Sequence, residues 1–389
     1  MNPPPNPASP KGFVVLLRLD TPVLQGGAAD PFGPKRSLDG LYVVRPPALR
    51  GLLHTFARAL FAPLLANEDG LLLRAERLLL GAQGGMKDPS SRQEFGSTFR
   101  VTVSASSKNN SQEFDIRPGA SKGRSPGYSL AHPEIAVTVE PRPWACASDP
   151  DLPAMLWTVL WCGFSLGSVG LRRRRGYGSL TITAVRPEPR WNARAEPADS
   201  LPVFPKPPHR NDLETTLQRG FRTAQARARA WLAKRLGSDK LAPKPSLGDN
   251  FFQVARADQI RVGARSFSES SGAQGWWLAM KTLMDACSST MAANAADYKA
   301  NLGASRPRLA SPLWVRFYRV REEEAEAWVP VCIVGAQRLY RSPGDAITAA
   351  ILAHLDGQTH GPASSLPPSR PSTGPLVTKK PKGFRRRRW

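Results

Sequence analysis

Read for hydrophobic periodicity alone, the chain begins with an apolar run, "FVVLLRLDTPV" (13–23), that predicts a strand ended by Pro22. In the stretch that follows, Leu49, Leu52, Leu53, Phe56, Leu60 and Leu64 recur at steps of three and four, the spacing of one helix face. The Pro46-Pro47 pair sits where such a helix can begin, because proline is tolerated in a first turn. A second helical segment is predicted over 71–80, stopped by Gly81. "STFRVTVSAS" (97–106) alternates as a strand, and "EIAVTVEPR" (134–142) is another. Between them, 107–133 is polar and rich in Gly, Ser and Pro, which reads as a long loop or a hairpin excursion. A helix over 149–166, with Asp149 or Asp151 near its N-terminus, and a strand over 177–185 complete the set. The order β-α-β-β-α-β is that of the ferredoxin-like split unit, an antiparallel sheet with two helices on one face.

The second half repeats the theme less regularly. A Pro-rich linker is expected at 191–210, then a helix over 211–237 starting at Asn211 or Asp212 and stopping at Gly237. Strands are predicted at 251–264, 311–320 and 326–335, one long helix or two at 275–303, and a helix at 344–357. The expected organisation is therefore α+β with two ferredoxin-like domains, 13–190 and 211–356, the second degenerate. Residues 1–12 and 357–389 are expected to be disordered tails.

Charge narrows the function. The formal net charge is +23, and 357–389 carries eight Lys/Arg with no Asp/Glu, so 23 − 8 leaves +15 on the rest. Such an excess points to a polyanion: RNA, DNA or an acidic membrane surface. The N-terminus has no apolar signal region and no run approaches a membrane span, so a cytoplasmic protein is expected, with no membrane role. Cys146, Cys162, Cys287 and Cys332 form no CxxC pair and lack histidines at zinc-ligand spacing. They are expected to be free thiols, and no metal or cofactor is implied.

The concentrated chemistry lies in "GFSLGSVGLRRRRGYGSL" (163–180). Gly167, Gly170, Gly176 and Gly178 permit positive φ and close approach of a ligand to the main chain. Successive N–H groups in such a turn make an anion-binding concavity. Arg172, Arg173, Arg174 and Arg175 add guanidinium forks suited to phosphate oxygens, and Tyr177 is a candidate to stack on a base.

This loop resembles the glycine-rich loop of the RAMP superfamily, the repeat-associated RNA-binding proteins of CRISPR systems. "TPVLQGG" (21–27), "VVRPPALRGLLHTFARAL" (43–60), "RAERLLLGAQGG" (74–85) and "ASPLWVRF" (310–317) narrow the resemblance to the first Cmr-module subunit family of type III-B effectors. The resemblance implies a non-catalytic subunit that holds guide and target RNA. Its implied partners are the sister RAMP subunits and the large polymerase-like subunit. It also implies that the helix start near 46 and the loop lie on one side, so that one RNA strand touches both.

Arg45 and Arg50 flank that helix start, a second anion site, and Arg50, His54 and Arg58 share a helical face. The competing reading, a metal-independent endoribonuclease of the same superfamily, would use His54 as general acid or base. Asp20, Asp30 and Asp39 are the positional candidates for a catalytic carboxylate, with Asp20 equally suited to satisfying a turn. Trp276 and Trp277 read as core packing or a partner contact, and Phe384 and Trp389 as aromatic residues in a basic tail.

Overall fold

The computed structural model describes residues 12–21, 23, 44, 46–81, 97–105, 111–115, 126–130, 134–170, 176–187, 200–245, 253–268, 313–323 and 325–334, with single positions at 275, 276, 278, 279, 282, 283, 353 and 356. Four strands form the first sheet: β1 (Phe13–Leu19), β2 (Phe99–Ala105), β5 (Glu134–Pro141) and β6 (Leu180–Arg186). Their spatial order is β2-β5-β1-β6, and every neighbouring pair is antiparallel. With α1 (Pro46–Phe61) and α4 (Leu152–Leu166) as the crossover helices, this is the ferredoxin-like topology the pattern predicted.

The alternation of β1 puts Phe13, Val15 and Leu17 on the helix-covered face. Phe99 and Val101 of β2 and Val137 and Val139 of β5 complete that floor. On the floor lies α4, whose residues are buried on every side except at Pro153. A helix apolar all round belongs inside, and α1 and a later helix, α5 (Arg210–Leu236), pack against it. The second predicted segment is α2 (Asp69–Leu80), closed by Gly81 at φ 82°.

Of the two readings of the excursion after β2, the hairpin describes it: β3 (Ser111–Asp115) pairs with β4 (Pro126–Leu130). Two further features were not foreseen. A short helix, α3 (Pro143–Ser148), precedes α4 and leaves Trp144 half-exposed. Residues 200–209, read as linker, are built into the core. Leu201 and Phe204 are buried, the Phe204 N–H donates to Ile182 O at 2.7 Å, and Trp161 Nε1 donates to Pro202 O at 2.8 Å.

From there α5 buries a stripe of Leu213, Leu217, Phe221, Ala224, Ala228 and Trp231 and ends at Gly237, as predicted. Beyond it, β7 (Ile260–Val262) and β8 (Phe267–Ser268) line one edge of β10 (Glu326–Val334), and β9 (Leu313–Arg321) pairs along the other. The expected strand at 251–264 is thus only partly a strand: 257–259 form a 3-10 turn. Most of the expected helices at 275–303 and 344–357, and both tails, lie outside the described residues.

Among the described residues the two halves share one hydrophobic cluster, which runs from Phe13 to Ile333. Along β9, Trp314 meets Phe56 edge-on at 5.3 Å and Tyr318 meets Phe204 at 5.8 Å.

Candidate nucleic-acid interface

Consider first the two ends of the glycine-arginine loop. Helix α4 stops at Gly167, whose N–H still bonds Gly163 O. A Cβ on Gly167 would lie 2.5 Å from Phe56 Cε2 and 2.8 Å from Leu52 Cδ1, so glycine here lets α1 close on the end of α4. The chain then pairs with itself: Ser168 bridges Ser179, and the Val169 N–H bonds Gly178 O at 2.9 Å. Gly170, Gly176 and Gly178 take φ of 87°, 84° and 66°, the region that favours glycine. At Gly178 a Cβ would stand 2.0 Å from Val169 O.

The end of β1 ties into this stem. Thr21 Oγ1 donates to Gly176 O at 2.6 Å and accepts from the Ser179 N–H at 2.9 Å. The Asp20 N–H donates to Ser179 O, and Trp328 Nε1 donates to Asp20 O, both at 2.9 Å. The Asp20 carboxylate is held by Arg18 Nε at 3.1 Å and by the Thr181 hydroxyl. Of its two readings, the turn-satisfying one describes this buried carboxylate. Asp30 and Asp39 lie outside the described residues.

The stem thus delivers both ends of the loop, Gly170 and Gly176, from one rigid knot. Arg172, Arg173, Arg174 and Arg175 connect them and lie outside the described residues, as does Arg45. Tyr177 belongs to the knot rather than to the tip. It is 1% exposed, so its ring offers no face to a base, and the stacking role is corrected to packing.

Helix contacts set what lies beside the loop. Gly163 and Gly167 meet Leu52 and Phe56, so the middle of α1 sits beside the end of α4, where the loop begins. Along α1 the row Arg50, His54, Arg58 is partly neutralised from α2. His54 Nδ1 and Arg58 Nε, the latter at 2.7 Å, share the carboxylate of buried Glu76. Burial alone would push the Glu76 carboxyl up, and the hydrogen bonds from His54 and Arg58 outweigh it, so the carboxyl is held below its ordinary value. Arg58 remains 46% exposed. Arg50 donates to Phe99 O at 3.4 Å and lies over the Phe99 ring.

Sequence reasoning missed Glu76 and Arg316. Arg316 is fully buried in β9, between Val315 and Phe317 in a strand apolar on both faces. That run carried the signal: an arginine inside "LWVRF" needs a dedicated set of acceptors. Cys146, Cys162 and Cys332 are unbridged, with burial pushing the Cys162 thiol up. Cys287 lies outside the described residues. Among the described residues no group of three or more His, Cys, Asp or Glu is placed to hold a metal ion, and no helix is long and apolar enough to cross a membrane.

No protein-family model matches the chain, and no curated protein matches it in sequence. Solved structures do. A crystal structure of Cmr1 from Pyrococcus furiosus, in its apo form, is 15% identical, with 87% of this chain and 96% of that one covered at a TM-score of 0.50. A chain in the cryo-EM structure of the type III-B Cmr-beta complex bound to cognate target RNA is 10% identical, with 88% and 98% covered at 0.56. Another, from that complex bound to cognate target RNA and AMPPnP in the presence of single-stranded DNA, is 11% identical, with 89% and 99% covered at 0.51. The chain therefore shares the α+β fold of these chains, and its first sheet has the ferredoxin-like topology.

Proposed function

We propose that this chain is a non-catalytic RNA-binding subunit of a type III-B CRISPR ribonucleoprotein effector. The observation that carries the reading is two-way coverage: 88% of this chain aligns with 98% of a chain from an RNA-bound Cmr complex. Independent support comes from the stem, a rigid mount for four consecutive arginines on a chain of net charge +23.

Arg172 to Arg175 grip RNA phosphates, and Gly167, Gly170, Gly176 and Gly178 shape the turn that presents them. Arg45, Arg50 and Arg58, with His54 in the same row, extend the basic track along the start of α1. Guide and target RNA are bound through their backbones with little sequence dependence, since base pairing supplies the sequence. The sister RAMP subunits and the polymerase-like subunit are the protein partners, and the compartment is the cytoplasm.

The endoribonuclease reading uses His54, which here shares a buried carboxylate with Arg58 in a fold-stabilising contact between α1 and α2. Incubating the full chain with guide-precursor RNA in EDTA separates the two. Binding without cleavage is expected. Site-specific cleavage that disappears in His54→Ala would overturn the non-catalytic assignment. Co-expression with the remaining effector subunits should recover the chain in a complex containing guide RNA, and recovery of the chain alone contradicts the subunit role.

A further inference from the structure

The strand β9 makes an unusual set of contacts with the loop stem. Its backbone bonds the stem directly: Val315 O accepts from the Gly176 N–H at 2.8 Å, and the Phe317 N–H donates to Ser179 Oγ at 3.0 Å. Two side chains on one face, Arg316 and Tyr318, reach the end of α4. Tyr318 donates to Ser165 O at 2.7 Å. Arg316 Nη1 donates to Phe164 O and, at 3.1 Å, to Gly167 O, while its Nη2 donates to Leu180 O at 2.6 Å. The guanidinium also lies 4.0 Å from the centre of the Tyr318 ring.

Those three acceptors belong to both ends of the loop. Phe164 is in the last turn of α4, Gly167 is where the loop leaves the helix, and Leu180 is where it enters β6. A planar fork with diverging N–H groups suits such an arrangement, and a flexible ammonium does not. The helix C-terminus also favours a cation, because its last carbonyls have no partner within the helix. With no exposed surface, the Arg316 charge cannot reach a ligand. Its place in the molecule is explained by what it holds.

We infer that Arg316 is a positioning residue for RNA binding: from the second domain it locks the two ends of the glycine-arginine loop, so that the grip on RNA belongs to both domains jointly. The inference rests on the reading of Arg172–Arg175 as the RNA contact. It predicts that a change more than 130 residues away in sequence acts only through those arginines.

The test is a double-mutant cycle on the full-length chain, with labelled single-stranded oligouridylate across a sodium chloride series. The species are wild type, Arg316→Met, the variant with Arg172, Arg173, Arg174 and Arg175 changed to Ala, and the combination. Arg316→Met should weaken binding about tenfold or more and lower the salt slope by ~0.7 for each phosphate that the loop no longer neutralises. In the four-alanine background it should change neither. Wild-type behaviour of Arg316→Met, or an equal loss in both backgrounds, overturns the inference while leaving the loop as the RNA contact. If the four-alanine variant itself binds like wild type, the loop reading falls first.

Trp161→Phe is the control for stability. It removes the bond to Pro202 O and should lower Tm with the salt slope unchanged. Should Arg316→Met not fold, Ser179→Ala removes the acceptor of the Phe317 N–H and should give a smaller loss with the same dependence on the arginines. An additive loss there counts against the inference equally.

Discussion

At Gly178 a single missing Cβ decides whether the loop stem can close. Its φ of 66° and the 2.0 Å approach that a Cβ would make to Val169 O admit no side chain. Gly178→Ala should destabilise the protein by at least about 1–3 kcal/mol, read as a lower urea midpoint, because backbone strain adds to the clash. An unchanged midpoint would mean that the stem does not have this form. Glu76 sets a second residue-scale expectation. Its carboxyl is held down in the folded state from an ordinary value of 4.5, so its contribution is present above that value and is lost as pH falls through the lower folded value. Glu76→Gln should therefore lower stability at neutral pH and flatten the acid limb below 4.5 in urea midpoints taken against pH. An acid limb as steep as wild type would assign the pH dependence elsewhere.

Elements were legible wherever a period was clean. The steps of three and four in α1 and the alternation of β2 and β5 gave the split unit and its one-sided core. Legibility failed where a partner, not a period, determines structure. Residues 200–209 are proline-rich and read as linker, yet Leu201 and Phe204 fill space that only the packed α4 and β6 create. Likewise the glycines at 170, 176 and 178 were recognisable as a special turn, but no local pattern links Thr21 to Gly176 across 155 residues. Tyr177, next to four arginines, looked like a ligand contact because sequence adjacency does not reveal that a stem residue points inward. Gly220 makes the same point quantitatively. Mid-helix glycine normally costs ~0.8–1 kcal/mol relative to alanine, so propensity alone predicts that Gly220→Ala stabilises α5. A Cβ there would lie 2.4 Å from Trp161 Cζ2, in a ring pinned by its bond to Pro202 O, so Gly220→Ala should lower Tm. A higher Tm would show that α4 and α5 do not approach this closely.

On the scale of the whole molecule, architecture selects among the charges. A net +23 on 389 residues is spread over tails, helices and loop, and composition alone does not say which part touches a polyanion. The fold narrows the choice. It sets the middle of α1 beside the end of α4, where the loop begins, and it clamps the loop stem from β9 through Arg316. The most direct measurement is therefore binding of the full-length chain to a labelled single-stranded RNA across a salt series, beside the variant with Arg172–Arg175 changed to alanine. The account predicts a loss of affinity and a salt slope shallower by ~0.7 for each phosphate left unneutralised. Equal affinity and equal slope in the two proteins would contradict it and move the RNA contact to another part of the basic surface.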